Sequence, residues 1–588
     1  MGRLRRPVVT SLTDEIFPHL LQRAAIALVA FVGIVLFIIR LAGPFDLLDK
    51  DQQNPTAYIV DAVQNGNWIC QRDAFGRITS KPPLYTWIAA FASLPFGRVN
   101  RFTVTLPAAL STLAIGVILF VAGRKHFGWS AGLLAALTWF CSPTAAKLIG
   151  LIRTDGLFSL TILIAALMAF RAWQLGRGWT WFWLAAAAAT LTKGPLGVAL
   201  AAGGLLAVLW EWRTGRSTPL RGSHWPGVAL FLLLGAGWFA LAWLQVGREV
   251  SDKMIGEELV TQIVPGQTFR HSFENFFKPT IYLLSRFAPW SLFACIALWR
   301  AWRRPVADDA SRQLERFLMC WILFGLLIFT AASHKRADLL FPLVPPMALL
   351  VGRELARLLR ALKPMVLLGV SAASAAVGLI ASLITYDITA WREPRVMDTL
   401  GMEELAGSVR AKVGENFPLT HVMCPLEKVD QLYAPQFFLN TMRQTVSYEQ
   451  AAGLLRGDAA AFVVVSNPAL LQSLLGPNYP ALRELARWPT SGKPLLHIIS
   501  NHPKLEWTRL MAMSLGPLQL RMDGLRLIRT WRGELIFEGD SNGSVTLFNQ
   551  SNKPQLVRMR IRTLSSGGTT ETRELLAGES WQAKAARN

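Results

Sequence analysis

Long apolar runs alternate with short polar breaks over roughly the first two thirds of the chain. A helix needs about 20 mainly apolar residues to cross the hydrocarbon core of a bilayer. Such runs predict about eleven membrane spans, near residues 24–42, 103–122, 129–147, 156–173, 179–192, 194–211, 226–246, 280–299, 316–333, 338–352 and 364–386. The pattern indicates a polytopic α-helical membrane domain over residues 24–386.

The basic residues between these runs predict which loops face the cytoplasm. Because cytoplasmic loops collect Lys and Arg, Arg3, Arg5 and Arg6 place the N-terminal segment 1–23 inside. An odd number of spans then places the first long loop, 43–102, and everything after about residue 387 outside. The first apolar run is too long for a cleaved signal peptide, so we expect a retained first span.

After residue 386 the pattern changes to that of a water-soluble region. Over 387–515, short apolar runs such as 461–465 predict buried strands, with helices such as 468–475 between them, which is typical of an α/β region. Over 516–588, apolar and polar residues alternate between turn signals and predict a small antiparallel β unit. The expected fold is therefore a polytopic helical membrane protein with an extracytoplasmic C-terminal α/β plus β domain.

Composition supports the membrane assignment and removes one class of partner. The 588 residues are 52% hydrophobic, and 60 Lys and Arg face 38 Asp and Glu, for a formal charge of +22. In a soluble protein this excess would suggest nucleic acid, but here many of the cations lie in the short loops, so we expect membrane lipids and no nucleic acid as partners. Of the five cysteines, only Cys70 and Cys424 lie in predicted outer segments, and one disulfide between them is conceivable.

The first outer loop carries the densest candidate chemistry. Asp51 follows the first span by a few residues and could take a proton from an acceptor hydroxyl, although a loop acid or a helix N-cap would look the same. An amphipathic helix pattern follows over 58–63, from which Asp61 is expected to face outward. Further along, Lys81 precedes two prolines that favour an extended backbone, which would hold the lysine at the membrane surface.

Other charged residues also fall at the predicted outer ends of spans. Asp155 beside Arg153 could bind a ligand or a metal, but an acid beside an Arg at a helix start is also a plain capping arrangement. Outer cations run against the positive-inside trend and indicate an anionic ligand, unless they reach toward lipid headgroups. The basic candidates are Lys81, Arg153, Lys193, Arg270, Lys335 and Arg336.

Several of these motifs resemble the C-type glycosyltransferase superfamily. Asp51, Gly66-Asn67-Trp68 and Lys81-Pro82-Pro83-Leu84 are similar to its first outer loop, and the closest likeness is to the aminoarabinose transferase and protein O-mannosyltransferase branch. Thr192-Lys193-Gly194-Pro195 and the run 341–349 extend the resemblance, which covers about residues 20 to 355. Two positions depart from the pattern: Gln52 follows the first acid where the family often has Glu, and Ser80 stands where the aminoarabinose transferases have an acid.

The resemblance implies an enzyme that moves a pentose or hexose from a polyprenyl phosphate to a lipid A-like lipid or glycan acceptor, without a cofactor. It implies catalytic roles for Asp51 and Asp155 and phosphate binding by the basic candidates. It also implies a bacterial inner membrane location with the site facing the periplasm. Because Ser80 replaces the acid, and His271 with nearby glutamates has no ligand spacing, we expect no metal.

Three alternatives remain open on the sequence. A protein O-glycosyltransferase of the same superfamily would share the motifs and differ only in its acceptor. A polyprenyl-lipid transporter or flippase should show charges inside its spans or broken helices near the bilayer centre, whereas the charges singled out here lie at span ends. A non-catalytic glycan-binding membrane protein would suit the β unit.

Overall fold

The structure is a computed structural model. It describes residues 12–216, 220–254, 256, 273–332, 335–413, 421–424, 433–440, 442, 445–457, 461–480, 482–489, 495–501, 510–515, 518–531, 534–549, 554–563, 566–576 and 578–584. The chain divides into two compact units. The membrane unit comprises residues 1–44, 80–88 and 105–392, and the second unit comprises 45–79, 89–104 and 393–588. The segment 43–102, predicted to be the first outer loop, thus contributes Lys81 to the membrane unit and Asp51 to the second unit.

Helices dominate the membrane unit and the first loop. In chain order they are α1 Leu12–Ala42, α2 Lys50–Asn65, α3 Leu84–Ser93, α4 Arg101–Phe127, α5 Trp129–Phe140, α6 Pro143–Ile149, α7 Asp155–Leu175, α8 Trp179–Lys193, α9 Leu196–Ala202, α10 Ala207–Arg213, α11 Trp225–Phe231, α12 Gly237–Val246, α13 Arg248–Ser251, α14 Phe273–Arg286, α15 Ser291–Arg303, α16 Asp309–Ala331, α17 Val344–Leu358 and α18 Pro364–Leu383. Short 3-10 or π turns extend several of them, including Ala337–Leu343 before α17 and Ile384–Ile388 after α18.

The predicted spans coincide with helices, but fewer than eleven of these helices are long and apolar enough to cross a membrane. Among the described residues, eight helices are long and apolar enough to cross a membrane, and ten if each of two bent pairs counts as one span. The bent pairs are α5 with α6, at 62°, and α14 with α15, at 111°. The one predicted span left without such a match is the fifth, 179–192. It corresponds to α8, whose 15 residues cover only about 22 Å at 1.5 Å per residue.

Small residues let these helices approach closely, as is common where apolar lipid removes the hydrophobic drive for helix association. A Cβ on Gly352 of α17 would lie within 2.6 Å of the backbone of Ala131 and Ala135 on α5. Gly132 of α5 lies in the same way against the backbone of α4. The contact between α5 and α17 therefore depends on the absence of a side chain at residue 352.

One end of the membrane unit holds a buried ion network. Glu211 of α10, Glu315 of α16 and Glu354 of α17 are fully buried. Their oxygens lie 2.6–3.6 Å from the guanidinium groups of Arg300, Arg312, Arg316, Arg353 and Arg357. Because each buried carboxylate has a guanidinium partner, the network ties the adjoining ends of α10, α15, α16 and α17 together.

The second unit contains two sheets, and its helices are α19 Pro394–Val413, α20 Tyr433–Phe438, α21 Tyr448–Leu455 and α22 Pro468–Leu475. The first sheet has the order β1-β2-β4-β3, with β1 His421–Met423, β2 Phe462–Val465, β3 Arg483–Trp488 and β4 Leu496–Ser500. The pair β1 and β2 is parallel and the other pairs are antiparallel. The strand predicted at 461–465 and the helix predicted at 468–475 are confirmed by β2 and α22.

The second sheet has the order β5-β6-β7-β8-β9, with β10 on β7. Its strands are β5 Leu510–Leu515, β6 Leu518–Trp531, β7 Glu534–Asn549, β8 Gln555–Thr563, β9 Ser566–Leu575 and β10 Ser580–Lys584. The β unit predicted for this region is confirmed, but it is not wholly antiparallel, because β7 and β8 pair in parallel. Its sheet also includes β5, before residue 516. The division of the chain at residues 23, 386 and 515 stays a prediction.

The conceivable disulfide between Cys70 and Cys424 does not form. Cys424 is a buried thiol, and burial raises the pKa of this thiol to about 12. A thiol with so high a pKa stays protonated at neutral pH and is a poor nucleophile.

Candidate functional site

Eight charged side chains meet at one end of the membrane unit, and we call them the charge cluster. They are the carboxylates of Asp155 and Asp338 and the basic groups of Lys81, Lys147, Arg153, Lys193, Arg286 and Arg336. Most lie where a helix begins or ends: Asp155 begins α7, Lys193 ends α8, Arg286 ends α14, and Asp338 lies in the turn before α17.

Asp155 is held by two cations. Its side chain is 4% exposed, and its two oxygens lie 2.5 Å from Lys193 Nζ and 3.1 Å from Arg153 Nε. Lys81 also interacts electrostatically with this carboxylate. Three of the candidates from the sequence, Lys81, Arg153 and Lys193, therefore gather around the candidate acid Asp155.

Asp338 is the second centre of the cluster. Arg153 Nη1 lies 2.8 Å from its carboxylate and Lys147 Nζ lies 3.2 Å away. Arg336 and Arg286 are looser, at 3.8 and 4.0 Å. Arg153 thus bridges the two carboxylates, while Arg286 and Arg336 remain a third or more exposed.

The cluster has more positive than negative charge. Six basic side chains surround two carboxylates, which leaves a formal surplus of four positive charges among these eight residues. Such a surplus is costly next to a membrane unless an anion is bound there. Charge-assisted bonds from Lys and Arg to phosphate oxygens are among the strongest that a protein makes. The cluster can therefore bind a phosphate group.

Asp51 lies in the second unit, in the first turn of α2. The helix N-cap is Asp49, whose carboxylate accepts a hydrogen bond from the Asp51 N–H at 3.1 Å. The alternative that Asp51 is itself the cap is therefore wrong. Its side chain is half-buried in the first turn of the helix. Its role as a catalytic base stays a prediction.

The remaining basic candidates lie elsewhere or outside the described residues. Lys335 Nζ donates to the carbonyl of Thr330 at 2.8 Å, near the end of α16. Burial and the nearby Lys278 lower the pKa of Lys335. Arg270 is outside the residues that the structure describes, so its predicted contact with a phosphate stays a prediction.

Three members of the charge cluster were missed by sequence reasoning. Asp338 is an acid at the outer end of a predicted span, so the argument used for Asp155 would have found it. Lys147 closes the predicted span 129–147. Arg286 falls inside the predicted span 280–299, and only the 111° bend at residues 287–290 brings it to a helix end. Hydropathy averages over such a bend and hides it.

Asp61 does not face outward as predicted. It is 3% exposed and accepts hydrogen bonds from Asn65 Nδ2 at 2.6 Å, Asn67 Nδ2 at 3.0 Å and the Arg72 N–H at 2.8 Å. Burial raises the pKa of Asp61. The residue fixes the Gly66-Asn67-Trp68 turn against α2, so the first-loop motif is organised around a carboxylate that we expected in solvent.

An apolar cavity of about 430 Å³ adjoins the charge cluster in the membrane unit. It lies where the two bent helix pairs meet α18, and its walls include Pro143, Ala146, Pro289 and Tyr386. Arg40 links two sides of the cavity, because its guanidinium donates hydrogen bonds to the carbonyls of Ala146 and Tyr386 at 3.0 and 2.7 Å. The cavity can take hydrocarbon.

No metal site stands out in the part of the chain that the structure describes. Within it, no three His, Cys, Asp or Glu side chains are arranged to hold an ion. The expectation that no metal is required stays a prediction.

Comparisons with known proteins agree with the first-loop resemblance. Residues 80–240 match the family model described as dolichyl-phosphate-mannose-protein mannosyltransferase. The chain is 26% identical over 429 residues to the undecaprenyl phosphate-alpha-4-amino-4-deoxy-L-arabinose arabinosyl transferase 1 of Sodalis glossinidius, covering 68% of this chain and 74% of that protein. It is 25% identical to an uncharacterized protein of Aquifex aeolicus, over 46% of this chain and 59% of the other.

A solved structure shares the fold. ArnT from Cupriavidus metallidurans, bound to undecaprenyl phosphate, superposes with a TM-score of 0.62 at 16% identity and covers 84% of this chain and 99% of its own. The transferase relatives and the family model matched over residues 80–240 make this chain similar to the C-type membrane glycosyltransferases, and the ArnT structure shows that it shares their fold.

Proposed function

We propose that this chain is an integral membrane glycosyltransferase that moves one sugar from a polyprenyl-phosphate donor to a lipid or glycan acceptor of the lipid A kind. The observation that carries the proposal is the charge cluster beside an apolar cavity: six basic side chains against two carboxylates, next to walls that suit hydrocarbon. A polyprenyl phosphate has these two chemistries joined in one molecule.

The cluster suits the leaving group of the transfer. A sugar attached to polyprenyl phosphate is a diester with one negative charge, and loss of the sugar leaves a monoester with up to two. Cations that are already in place stabilise the charge as it develops, without the cost of reorganising solvent. In this scheme Lys81 and Arg336 meet the phosphate, and no nucleotide is needed.

The acid that activates the acceptor is Asp51 in this proposal. Asp155 is ion-paired with Arg153 and Lys193, so taking up a proton would weaken both pairs. That arrangement suits a residue that orients the cations and the acceptor. Asp51, half-buried at the start of α2, is the better candidate for general base, and transfer by direct attack of the acceptor would invert the sugar configuration.

The sugar class and the side of the membrane belong to the proposal as well. Relatives named as arabinosyl transferases favour a pentose, and the mannosyltransferase family model keeps a hexose open. We place the charge cluster at the periplasmic face of a bacterial inner membrane, where a lipid A-like acceptor would be reached. A protein acceptor is the alternative within the same superfamily.

The test is transfer of a labelled sugar by the purified protein in lipid nanodiscs. The donors are polyprenyl-phosphate pentoses and hexoses, and the acceptors are lipid A or envelope protein. We expect label in the lipid fraction and release of polyprenyl phosphate, both reduced in Lys81→Ala and unchanged in Lys125→Ala, an exposed lysine at the end of α4. Label in protein would favour the O-glycosyltransferase alternative. Movement of donor across vesicles without any transfer to an acceptor would instead identify a flippase and refute the proposal.

A further inference from the structure

We propose that Lys147, Arg286 and Trp290 form the headgroup end of the apolar cavity and bind the phosphate of a polyprenyl phosphate that lies in it. The inference rests on the proposed function and adds residues that no sequence motif assigned to the donor. It is carried by the way the two helix breaks meet, by the exposure of the two cations, and by two hydrogen-bond donors that lack an acceptor.

The two helix breaks are tied to each other. Thr144, at the start of α6, donates its hydroxyl to the carbonyl of Arg286, at the end of α14, at 2.7 Å. The cavity lies at this junction, with Pro143 and Ala146 on one side and Ala288, Pro289 and Trp290 on the other. Lys147 follows a wall residue directly, and Arg286 precedes the other wall by two residues.

Lys147 and Arg286 lie at the edge of the cavity, and both approach the carboxylate of Asp338 in the charge cluster. Lys147 Nζ and Arg286 Nη2 lie 3.2 and 4.0 Å from the Asp338 carboxylate. Arg286 also interacts electrostatically with Tyr386, a residue of the cavity wall. A ligand with hydrocarbon in the cavity would therefore meet these two cations first.

The side chains of Lys147 and Arg286 are more exposed than the side chain of Arg153. The Arg153 side chain is 9% exposed and bonded to both carboxylates, so its charge is taken up within the protein. Lys147 and Arg286 are 25% and 33% exposed, and the 4.0 Å pair is longer than a charge-assisted hydrogen bond. Both can therefore turn part of their surface to a ligand.

Two buried donors at this turn have no acceptor among the described residues. They are Arg286 Nε and the indole N–H of Trp290. A buried donor without a partner destabilises the protein, which is a reason to expect that a ligand supplies the acceptor. Phosphate oxygens accept several hydrogen bonds at once and would satisfy both donors together with the Lys147 ammonium.

The experiment measures binding of undecaprenyl phosphate to the purified full-length protein in detergent by native mass spectrometry. Losing one charge-assisted bond should weaken binding roughly 10- to 150-fold in Arg286→Ala and Lys147→Ala. Trp290→Phe keeps an aromatic side chain but removes a neutral donor, so we expect roughly a 2- to 10-fold loss. Arg286→Lys should fall between wild type and Arg286→Ala, because it keeps the charge and loses the fork of donors.

Matched controls and a second ligand separate the headgroup from the hydrocarbon. Arg304→Ala and Lys125→Ala remove exposed cations of the same types and should bind like wild type. Undecaprenol, which has no phosphate, should bind all variants alike. If Arg286→Ala weakened the binding of undecaprenol as much as that of undecaprenyl phosphate, the cavity would be disrupted. That result would overturn the headgroup assignment.

Failure of the inference differs from failure of the proposed function. If wild type binds undecaprenyl phosphate and Lys147→Ala, Arg286→Ala and Trp290→Phe all bind as well as the controls, the phosphate lies elsewhere and only this inference fails. If wild type shows no preference for undecaprenyl phosphate over undecaprenol, the proposed function fails with it.

Discussion

At the scale of single residues, the two candidate acids differ in what surrounds them. Asp155 is 4% exposed and paired with two cations, whereas Asp51 is half-buried in the first turn of a helix capped by Asp49. A general base must be able to take a proton during the reaction and lose it again. The surroundings therefore favour a catalytic role for Asp51 and a positioning role for Asp155.

The corresponding prediction concerns Asp51→Asn. The amide preserves the size of the side chain and cannot take a proton, so turnover with a labelled donor should fall by roughly two to four orders of magnitude, with undecaprenyl phosphate binding close to that of wild type. Asp49→Asn is the matched control, since Asn caps helices about as well as Asp. Near-normal turnover of Asp51→Asn beside an inactive Asp155→Asn would move the base to Asp155.

A second prediction uses the buried carboxylate of Asp61. Burial raises the pKa of Asp61 in the folded protein, so between the unfolded value near 4 and the folded pKa the folded state binds the extra proton. Its contribution to stability is thus complete below about pH 4 and is lost as the pH rises through the folded pKa. The difference in thermal midpoint between wild type and Asp61→Asn should be largest near pH 4 and shrink toward pH 7. A gap that widens with pH would show that Asp61 is not buried in this way.

These residues also show where sequence reasoning ends. The charges at helix ends could be found because hydropathy marks those ends, and so Lys81, Arg153, Asp155, Lys193 and Arg336 were all named in advance. The facing of Asp61 could not be found, because its three hydrogen bonds come from a turn that folds back onto α2. A helix pattern describes one face of one element and contains no information on what packs against it.

At the scale of elements, length and composition predicted the helices well and their bends poorly. Every predicted span has a helix at its position, because an apolar run must satisfy its backbone hydrogen bonds internally. The 62° and 111° bends leave the hydropathy of the run unchanged. The bends still shape the site, because the 111° bend brings Arg286 to a helix end and the apolar cavity lies where the two bent pairs meet.

A third prediction belongs to the packing of α5 against α17. Gly352→Ala would place a Cβ within 2.6 Å of the α5 backbone, and forcing the helices apart should destabilise the protein by about 1–3 kcal/mol. Gly369→Ala in α18 is the control, because its Cβ would have no neighbour within 4 Å. Thermal unfolding in detergent, followed by loss of the monodisperse peak, measures the difference. Equal stability of the two variants would contradict the close approach.

At the scale of the whole molecule, the two sets of ion pairs group the helix ends. The charge cluster joins the end of α6, the start of α7 and the ends of α8 and α14 with the turn before α17. The buried network joins the ends of α10, α15 and α17 with the start of α16. Because Asp155 begins α7 and Lys193 ends α8, their ion pair shows that α8 returns the chain to the end where α7 began. The count of eleven spans stays a prediction, because α8 has only 15 residues and is not among the helices long enough to cross a membrane.

The last prediction concerns which side of the membrane the charge cluster and the buried network each face. Positive-inside reasoning places the buried network, with its flanking arginines, in the cytoplasm and the charge cluster outside. In a variant without the five native cysteines, single cysteines at the exposed positions Arg98 and Pro195 should react with an impermeant maleimide in intact cells. Cysteines at the exposed positions Lys125 and Arg304 should react only after permeabilisation. If position 195 reacts only in permeabilised cells while position 304 reacts in intact ones, the membrane unit is inverted. The charge cluster would then lie on the cytoplasmic side. A polyprenyl-phosphate donor whose headgroup is on the periplasmic side could not reach it.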